Sequence, residues 1–382
     1  MKTIKKIKLL KKDIRPVPKI LFNIFRRKTN FDYRFLNGKS LGPMHLIFEI
    51  TARCNLRCEF CWLWGEFGVG KKYSKEELST EEVKKIMGNL PSTCHLIYIS
   101  GGEPFIRKDM LEIIRYIKSK GLICDVTSNG ILLGDKIEEI IDSGLDQINI
   151  SIDGTKKTHD AIRGKGSFEK AIRNVKKIVE EKKSRGAETP IIKMNTTISP
   201  TNYKDLVSIM KLGLDLNVDR LTFQQLWFTS EELANAHRET MKHIFNIDCK
   251  GIFGYVNEKI NEINGKILSS QLERLRETSK KSGIDLKFWP DFHKKGITFS
   301  DYRDLNKIIN TNCLYPWFSA NIKPNGDLVP CLDYYIPEYV IGNLKENSLS
   351  ELWNSPRFIF FRKKLKQYGI FPGCRRCCAL IQ

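Results

Sequence analysis

Apolar and polar positions along this chain alternate between two periods. Runs rich in Ile, Val, Thr and Phe recur at 44–51 (MHLIFEIT), 95–100 (HLIYIS), 123–128 (ICDVTS), 146–153 (DQINISID), 191–199 (IIKMNTTIS) and 219–226 (DRLTFQQL). β-branched and aromatic residues suit a pleated, half-buried strand, and several of these runs stop at Gly or Pro signals. Between them lie TEEVKKIMGNL, DMLEIIRYIKSKG, GDKIEEIIDSG, FEKAIRNVKKIVEEKKSRG and NYKDLVSIMKLG. Their apolar residues recur three and four positions apart and most end in Gly, the period and the stop signal of helices. Six strands separated by five helices predict an α/β fold with a parallel sheet and helices on its outer face. The alternation stops near residue 226, so the expected architecture is a partial (β/α)6 barrel rather than a full eight-unit one.

Residues 231–283 read as helical. From 313 onward the chain becomes aromatic, cysteine-bearing and punctuated by Pro and Gly. SANIKPNGDLVPCL (319–332) predicts two short strands around a Pro-Asn-Gly turn. The expected organisation is a basic N-terminal arm (1–43), the barrel core (44–230), a helical connecting segment (231–312) and a small Cys-rich β-hairpin/helix extension (313–382). A chain of 382 residues can bury a sizeable core, and 41% hydrophobic residues favour globular folding over disorder.

Charge and cysteine content narrow the setting. The 64 Lys and Arg against 44 Asp and Glu give a net charge of +20, which suits an acidic partner. Solvated lysine-rich faces are the plainer explanation. No zinc-finger, helix-turn-helix or aromatic RNA-binding signature accompanies the charge, so no nucleic acid is expected. The N-terminus lacks an apolar core and a cleavage site, so no signal peptide is expected, and no apolar stretch is long enough for a transmembrane helix. Residues 1–30 contain KILFNIFRRK, which could lie on a membrane surface, pack on the domain or stay loose. The expected compartment is the reducing cytoplasm, where eleven cysteines serve as ligands rather than disulfides.

The stretch CNLRCEFC places Cys54, Cys58 and Cys61 in eight residues, directly after the strand IFEIT. Loops at the C-terminal ends of strands carry the active sites of β/α folds. Three clustered thiolates suit a soft metal, either zinc or an iron–sulfur cluster. Zinc would want a fourth ligand nearby, and none follows within this loop. A [4Fe–4S] cluster held by three cysteines leaves one iron open to an outside ligand.

This Cx3CxxC, with Phe60 before the last Cys, resembles the signature of the radical S-adenosylmethionine (SAM) superfamily. The resemblance extends over residues 45–226, where SGGEP (100–104), TSNG (127–130), SIDG (151–154) and HDAIRGKGSF (159–168) follow in order. It implies a TIM-like partial barrel, SAM bound at a [4Fe–4S] cluster held by Cys54, Cys58 and Cys61, and formation of a 5′-deoxyadenosyl radical that abstracts a substrate hydrogen. Gly101 and Gly102 would let the backbone approach the methionyl group, and Glu103 would accept from its amine; alternatively, Glu103 is a carboxylate opening the turn that Pro104 begins. Ser128 and Asn129 fall where ribose contacts would lie, Ser151 resembles a serine facing SAM, and Arg163 an arginine near the SAM carboxylate. Turn and strand polar residues are the plainer readings for these positions. Asp153 is expected to cap its own turn, and His159 is a weak acid/base candidate.

The C-terminal cysteines resemble the SPASM/Twitch extension: Cys313 and Cys331 read C-x12-G-x4-C through Gly326, and Cys374 and Cys377 form a CxxC. With Cys378 as the one further cysteine, the resemblance implies the shortened Twitch-like form, with one auxiliary [4Fe–4S] cluster held by Cys313, Cys331, Cys374 and Cys377. A four-cysteine zinc site fits the spacing too, and Cys378 could replace Cys377. Cys94, Cys124 and Cys249 read as buried small apolar residues. A fully ligated cluster cannot bind SAM but can take an electron from a substrate radical, which points to net oxidation, and a small molecule is the first expectation for the substrate. The alternatives are a maturase acting on a ribosomal peptide or protein and a non-catalytic electron carrier. The enzyme readings imply a reducing donor such as flavodoxin or ferredoxin. FQQLWF (223–228) and KFWPDF (287–292) are candidates for the cavity lining, although aromatic runs are more often core.

Overall fold

A computed structural model describes residues 17–331, 336 and 338–377. Residues 1–16 of the basic arm and Cys378 lie outside the described residues. Two N-terminal helices, α1 (Val17–Thr29) and α2 (Phe31–Phe35), precede the sheet. Then β1 (His45–Thr51), α3 (Thr80–Gly88), β2 (Leu96–Gly101), α4 (Met110–Ser119), β3 (Ile123–Ser128), α5 (Ile137–Asp142) and β4 (Gln147–Ser151) alternate. The series continues with α6 (Lys156–Arg163), α7 (Ser167–Ser184), β5 (Ile191–Ile198), α8 (Leu206–Asp215) and β6 (Arg220–Gln225). All six strands read from the sequence are present, parallel and in sequential order.

The sheet is larger than six strands. After α9 (Glu231–Phe245) and α10 (Gly265–Ser282), β7 (Asp285–Trp289) joins β6 in parallel, with Arg220 opposite Asp285. The segment expected to be only a helical connector therefore contributes a strand. At the other edge, β8 (Ser319–Ile322) lies parallel to β1, with His45 opposite Ser319 and Phe48 opposite Ile322. Then β9 (Asp327–Val329) folds back antiparallel and β10 (Gly342–Asn343) follows it. Gly326 supplies the positive φ of 94° for the turn between β8 and β9. The extension's hairpin is thus continuous with the barrel sheet, whose order is β10-β9-β8-β1-β2-β3-β4-β5-β6-β7. The helix α11 (Pro356–Tyr368) closes the described chain together with the turn Pro372–Arg376.

The strands separate two environments by their alternation. Leu46, Phe48 and Ile50 of β1, Ile97 and Ile99 of β2, Val126 of β3 and Ile148 and Ile150 of β4 are buried in the core. The intervening positions face an interior cavity and are mostly polar. Cys94 and Cys124 are buried as expected of small apolar residues. Among the aromatic runs, Phe223 and Phe288 stack in the core at 6.2 Å, whereas Trp227 and Trp289 line the cavity.

A buried ion pair fixes the N-terminal helices. The Arg26 guanidinium donates to both carboxylate oxygens of Asp32, to Asn23 Oδ1 at 3.1 Å and to the Gly42 carbonyl at 2.9 Å. Asp32 also accepts from Ser40 Oγ at 2.8 Å and from the Leu41 N–H at 3.1 Å. Both side chains are fully buried. Removing one partner leaves an uncompensated charge in the interior, so Asp32→Ala is expected to cost about 3–5 kcal/mol of unfolding free energy in a denaturant titration. A cost below about 1 kcal/mol would mean that the pair is solvated and does not hold the helices in place.

Candidate functional site

One cavity of about 1050 Å³ occupies the interior of the sheet, lined from His45 on β1 round to Trp289 on β7. Full (β/α)8 barrels fill this space with branched apolar side chains. Here Glu49, Tyr98, Asp125, Thr127, Asn149, Ser151, Lys193, Asn195, Thr222 and Gln224 line it instead. Asp125 accepts from Lys193 Nζ at 2.8 Å and from Asn149 Nδ2, which ties three neighbouring strands together across the lumen. Burial lowers the proton affinity of Lys193, and Asp125 opposes that shift. The Asn195 Oδ1, Ser199 Oγ and Trp227 Nε1 atoms are buried without a hydrogen-bond partner among the described residues, and their side chains line the cavity. Such polar atoms call for a ligand or water.

The predicted cysteine loop sits at this cavity. Cys54, Cys58, Phe60 and Cys61 all line it. The loop is held from several sides: Glu59 N–H donates to Ile162 O at 2.8 Å, Cys61 N–H to Cys58 O at 3.1 Å, and Trp64 Nε1 to Ala52 O at 2.8 Å. Asn129 Nδ2 donates to Asn55 Oδ1 at 2.8 Å, joining the loop to the end of β3. Burial raises the Cys54 thiol and pushes Cys58 up to about 11, and an ionised Cys61 would raise both. Thiols with raised values are poor free nucleophiles; coordination is what would ionise them. Among the described residues, no group of three or more His, Cys, Asp or Glu is arranged as it stands to hold a metal ion. The donor set still fits a cluster: three thiols on one braced loop, all opening on one polar cavity.

Gly101 and Gly102 also line the cavity, but the space beside them is taken by the chain itself. A Cβ on Gly101, whose φ is 132°, would stand 2.2 Å from Thr51 O, and one on Gly102 would stand 2.1 Å from Arg53 O. These glycines let the end of β2 lie against the base of the cysteine loop. There, Gly102 N–H donates to Thr51 O at 2.7 Å and Glu103 N–H to Arg53 O at 2.8 Å.

Glu103 is held by the chain itself. Its side chain is fully buried and is not part of the cavity wall. It accepts from Phe105 N–H at 3.1 Å, Ser128 Oγ at 2.9 Å and Asn129 N–H at 2.7 Å. The carboxylate opens the short helical turn Pro104–Ile106, as its alternative reading had it, and also braces the end of β3. Ser128 and Asn129 both border the cavity through that brace. Ser151 lines it too, opposite Asn195 in register. Arg163 donates to Asp153 at 2.5 Å and lies 4.0 Å from Cys58 Sγ. Asp153 in turn accepts from Thr197 N–H at 2.7 Å. His159 is buried, accepts from the Asp153 N–H at 3.1 Å and is held neutral by burial, its value lowered to about 4. Its Nε2 is buried without a hydrogen-bond partner among the described residues.

The C-terminal cysteines sit away from the cavity lining. Cys374 lies within the turn Pro372–Arg376 and Cys377 directly follows it, and Cys377 N–H donates to Cys374 O at 3.1 Å. Buried Arg376 anchors that turn through the carbonyls of Tyr302, Asp304 and Lys307. Cys313 N–H donates to Gly369 O at 3.1 Å, and burial pushes its thiol up to about 11. Cys249 is fully buried, as expected of a small apolar residue, and lies 3.1 Å from Glu338 Oε2 and close enough to Cys331 for an ionised Cys331 to raise its proton affinity. Sequence offered no spacing signal for it. The lumen residues Asp125, Asn149, Lys193 and Asn195 were missed as well, although their alternation with buried Ile and Val is visible in the strand runs.

The family model described as the radical SAM superfamily matches residues 48–213, and one described as an iron–sulfur cluster-binding domain (SPASM) matches residues 313–378. The chain is 26% identical over 354 residues to a tungsten-containing aldehyde ferredoxin oxidoreductase cofactor-modifying protein of Pyrococcus furiosus, covering 87% of this chain and 86% of that one. It is 27% identical over 347 residues to an AdoMet-dependent heme synthase of Methanosarcina barkeri, covering 88% of each. Among solved structures it resembles Streptococcus suis SuiB bound to the precursor peptide SuiA, with a TM-score of 0.61 at 14% identity over 90% of this chain and 71% of that one, a likeness of fold.

In the cluster-free, SAM-free protein, burial pushes the Glu103 carboxyl up to about 7 against the pull of Asn129, Phe105, Ser128 and Arg163. The folded chain therefore holds a proton there at pH values where the unfolded chain has released it. That contribution to stability is full below the ordinary carboxylate value and is lost as pH rises to about 7. Apoprotein stability should fall by roughly 3 kcal/mol from this group between about pH 4 and about pH 8. Glu103→Gln should remove that part of the slope in denaturant titrations; identical slopes in both proteins would refute the assignment.

Proposed function

We propose, for a chain that belongs to the radical SAM superfamily and carries its SPASM iron–sulfur extension, that the reaction is a net oxidation of a polar small molecule held in the barrel lumen, its second electron leaving through one auxiliary [4Fe–4S] cluster. The observation that carries the reading is the polar lumen beside the cysteine loop. When bound, SAM with a reduced cluster would supply the 5′-deoxyadenosyl radical chemistry that takes a hydrogen atom from a substrate carbon, after which the substrate would release one proton and one electron, the electron to the auxiliary cluster.

The residues divide the remaining work. Cys54, Cys58 and Cys61 would hold the cluster that binds SAM. Phe60, Ser128, Asn129, Ser151 and the backbone at Gly101 and Gly102 form the wall toward SAM. Arg163, held by Asp153, presents positive charge beside Cys58. Glu103 is a positioning residue, because it reaches the wall only through Ser128 and Asn129. The Asp125–Lys193–Asn149 set holds a hydrogen-bonding substrate in place, and enclosure keeps water from the radical.

Cys313, Cys331, Cys374 and Cys377 hold the auxiliary cluster in this reading. The turn Lys250–Tyr255 supports a short route between the two regions: its Tyr255 lines the lumen, and its Ile252 packs against Gly373, beside Cys374. A flavodoxin- or ferredoxin-type donor in the cytoplasm supplies the starting electron. A peptide maturase is the second reading. It is favoured by the exposed mouth formed by Glu59, Thr201, Glu258 and Lys259, through which an extended chain could enter, and by the peptide bound to SuiB.

If the auxiliary cluster accepts the second electron, Cys374→Ala with Cys377→Ala should stop product formation yet permit SAM cleavage and deuterium transfer from labelled substrate into 5′-deoxyadenosine. The variant must keep its secondary-structure spectrum and about four irons at the first cluster. Full product from such a folded variant would exclude the auxiliary cluster as the acceptor and favour a redox-neutral reaction.

A further inference from the structure

The first helix is turned inside out. In α1 the polar side chains Asn23 and Arg26 are buried, whereas Leu21, Phe22, Ile24 and Phe25 are 62%, 46%, 44% and 54% exposed. Phe35 of α2 is 67% exposed. This orientation is locked. Arg26 is held by Asp32, Asn23 and Gly42, and Asn23 Nδ2 donates to Thr93 O at 2.7 Å and meets His95 Nδ1 at 3.0 Å. Rolling the helix to bury its apolar side would break a buried ion pair. The apolar side therefore faces outward by construction.

The charge around it has one sign. Between Val17 and Lys39 the only acid is Asp32, which is buried, whereas Arg27, Lys28, Arg34 and Lys39 are exposed. The neighbouring helix α11 contains no acid. It meets this region where Lys366 Nζ donates to Tyr33 O at 2.6 Å and where Lys363 lies beside Gly38. By sequence, residues 1–16 add six Lys and one Arg against one Asp. Among the described residues, no helix is long and apolar enough to cross a membrane.

We propose that this face docks on an anionic lipid bilayer, with Leu21, Phe22, Ile24 and Phe25 entering the boundary between headgroups and acyl chains and the basic side chains meeting headgroup charge. Aromatic and aliphatic residues on one side with lysines and arginines at the rim are what an interfacial helix needs. Charge decides against the other occupants. A second copy would bring two acid-free basic faces together, and residues 1–16 are themselves basic. The docking is separate from the reaction assigned to the lumen and stands whichever substrate that site takes.

The test is cosedimentation of the full-length protein with phosphatidylcholine vesicles, with and without phosphatidylglycerol. The protein should bind the anionic vesicles, weakly or not at all the zwitterionic ones, and lose binding as salt rises. Phe22→Ser combined with Phe25→Ser should lower the partition coefficient by at least about tenfold. That variant should keep the wild-type unfolding midpoint and its yield of 5′-deoxyadenosine from SAM, since neither residue touches the cavity. Wild-type protein that fails to bind anionic vesicles overturns the proposal. So does equal binding by the double variant, which would assign the attraction to charge elsewhere. A wild-type dimer that becomes monomeric in the variant would make a second copy the occupant instead.

Discussion

The pairing of β1 on both of its edges is the constraint on which the rest depends. On one side it pairs with β2, and on the other with β8 from the C-terminal extension. The strand ends at Thr51, and the cysteine loop begins immediately after it. Fixing β1 therefore fixes where Cys54, Cys58 and Cys61 emerge. Gly101 and Gly102 bring the end of β2 against the loop's first residues, where a Cβ would collide with the carbonyls of Thr51 and Arg53. On the opposite edge, Lys323 just after β8 donates to Glu49 of β1 at 2.6 Å, and both side chains are buried. The extension is thus joined to the barrel by backbone pairing and by an ion pair that would be costly to break.

This arrangement builds the polar lumen and the C-terminal hairpin into one sheet. Its concave side carries the lumen, Cys313 and Cys331 stand before and after the hairpin β8–β9 at one edge, and the turn holding Cys374 packs against His237 and Ile252. Helix-facing positions of the strands bury Ile, Val, Leu and Phe, which stabilises the barrel without using the interior. The interior is then free for polar side chains, which are tolerated because they pair with one another, as Asp125, Asn149 and Lys193 do. Glu103 shows the same logic at the wall. Its buried carboxylate is satisfied by three donors and thereby shapes the residues that face the cavity.

Local sequence carries part of this. The run at 123–128 is β3 residue for residue, and the run at 191–199 gives β5 to within one residue. Those strands have strong β-branched alternation and sharp Gly or Pro stops. DLKFW at 285–289 escaped because it is short, carries charge at two of five positions and follows a long helix. The pairing of β8 with β1 joins residues some 270 apart, from Phe48 to Ile322, and nothing local encodes such a partner. The cysteine loop was legible because three thiols in eight residues have few other uses. Glu103 was legible as a special carboxylate, but which atoms it would face depended on where β3 ends. Cys249 reaches Glu338 and the neighbourhood of Cys331 only through tertiary folding, so no spacing could announce it.

The loop after β1 is the proposed seat of the cluster that cleaves SAM. The most direct test compares anaerobically reconstituted, reduced wild-type protein with a Cys54→Ala, Cys58→Ala, Cys61→Ala variant, measuring 5′-deoxyadenosine formed from SAM and iron bound per chain. The account predicts that the wild type forms 5′-deoxyadenosine and that the variant forms none while keeping about four irons in the extension. Continued SAM cleavage by the triple variant would contradict it.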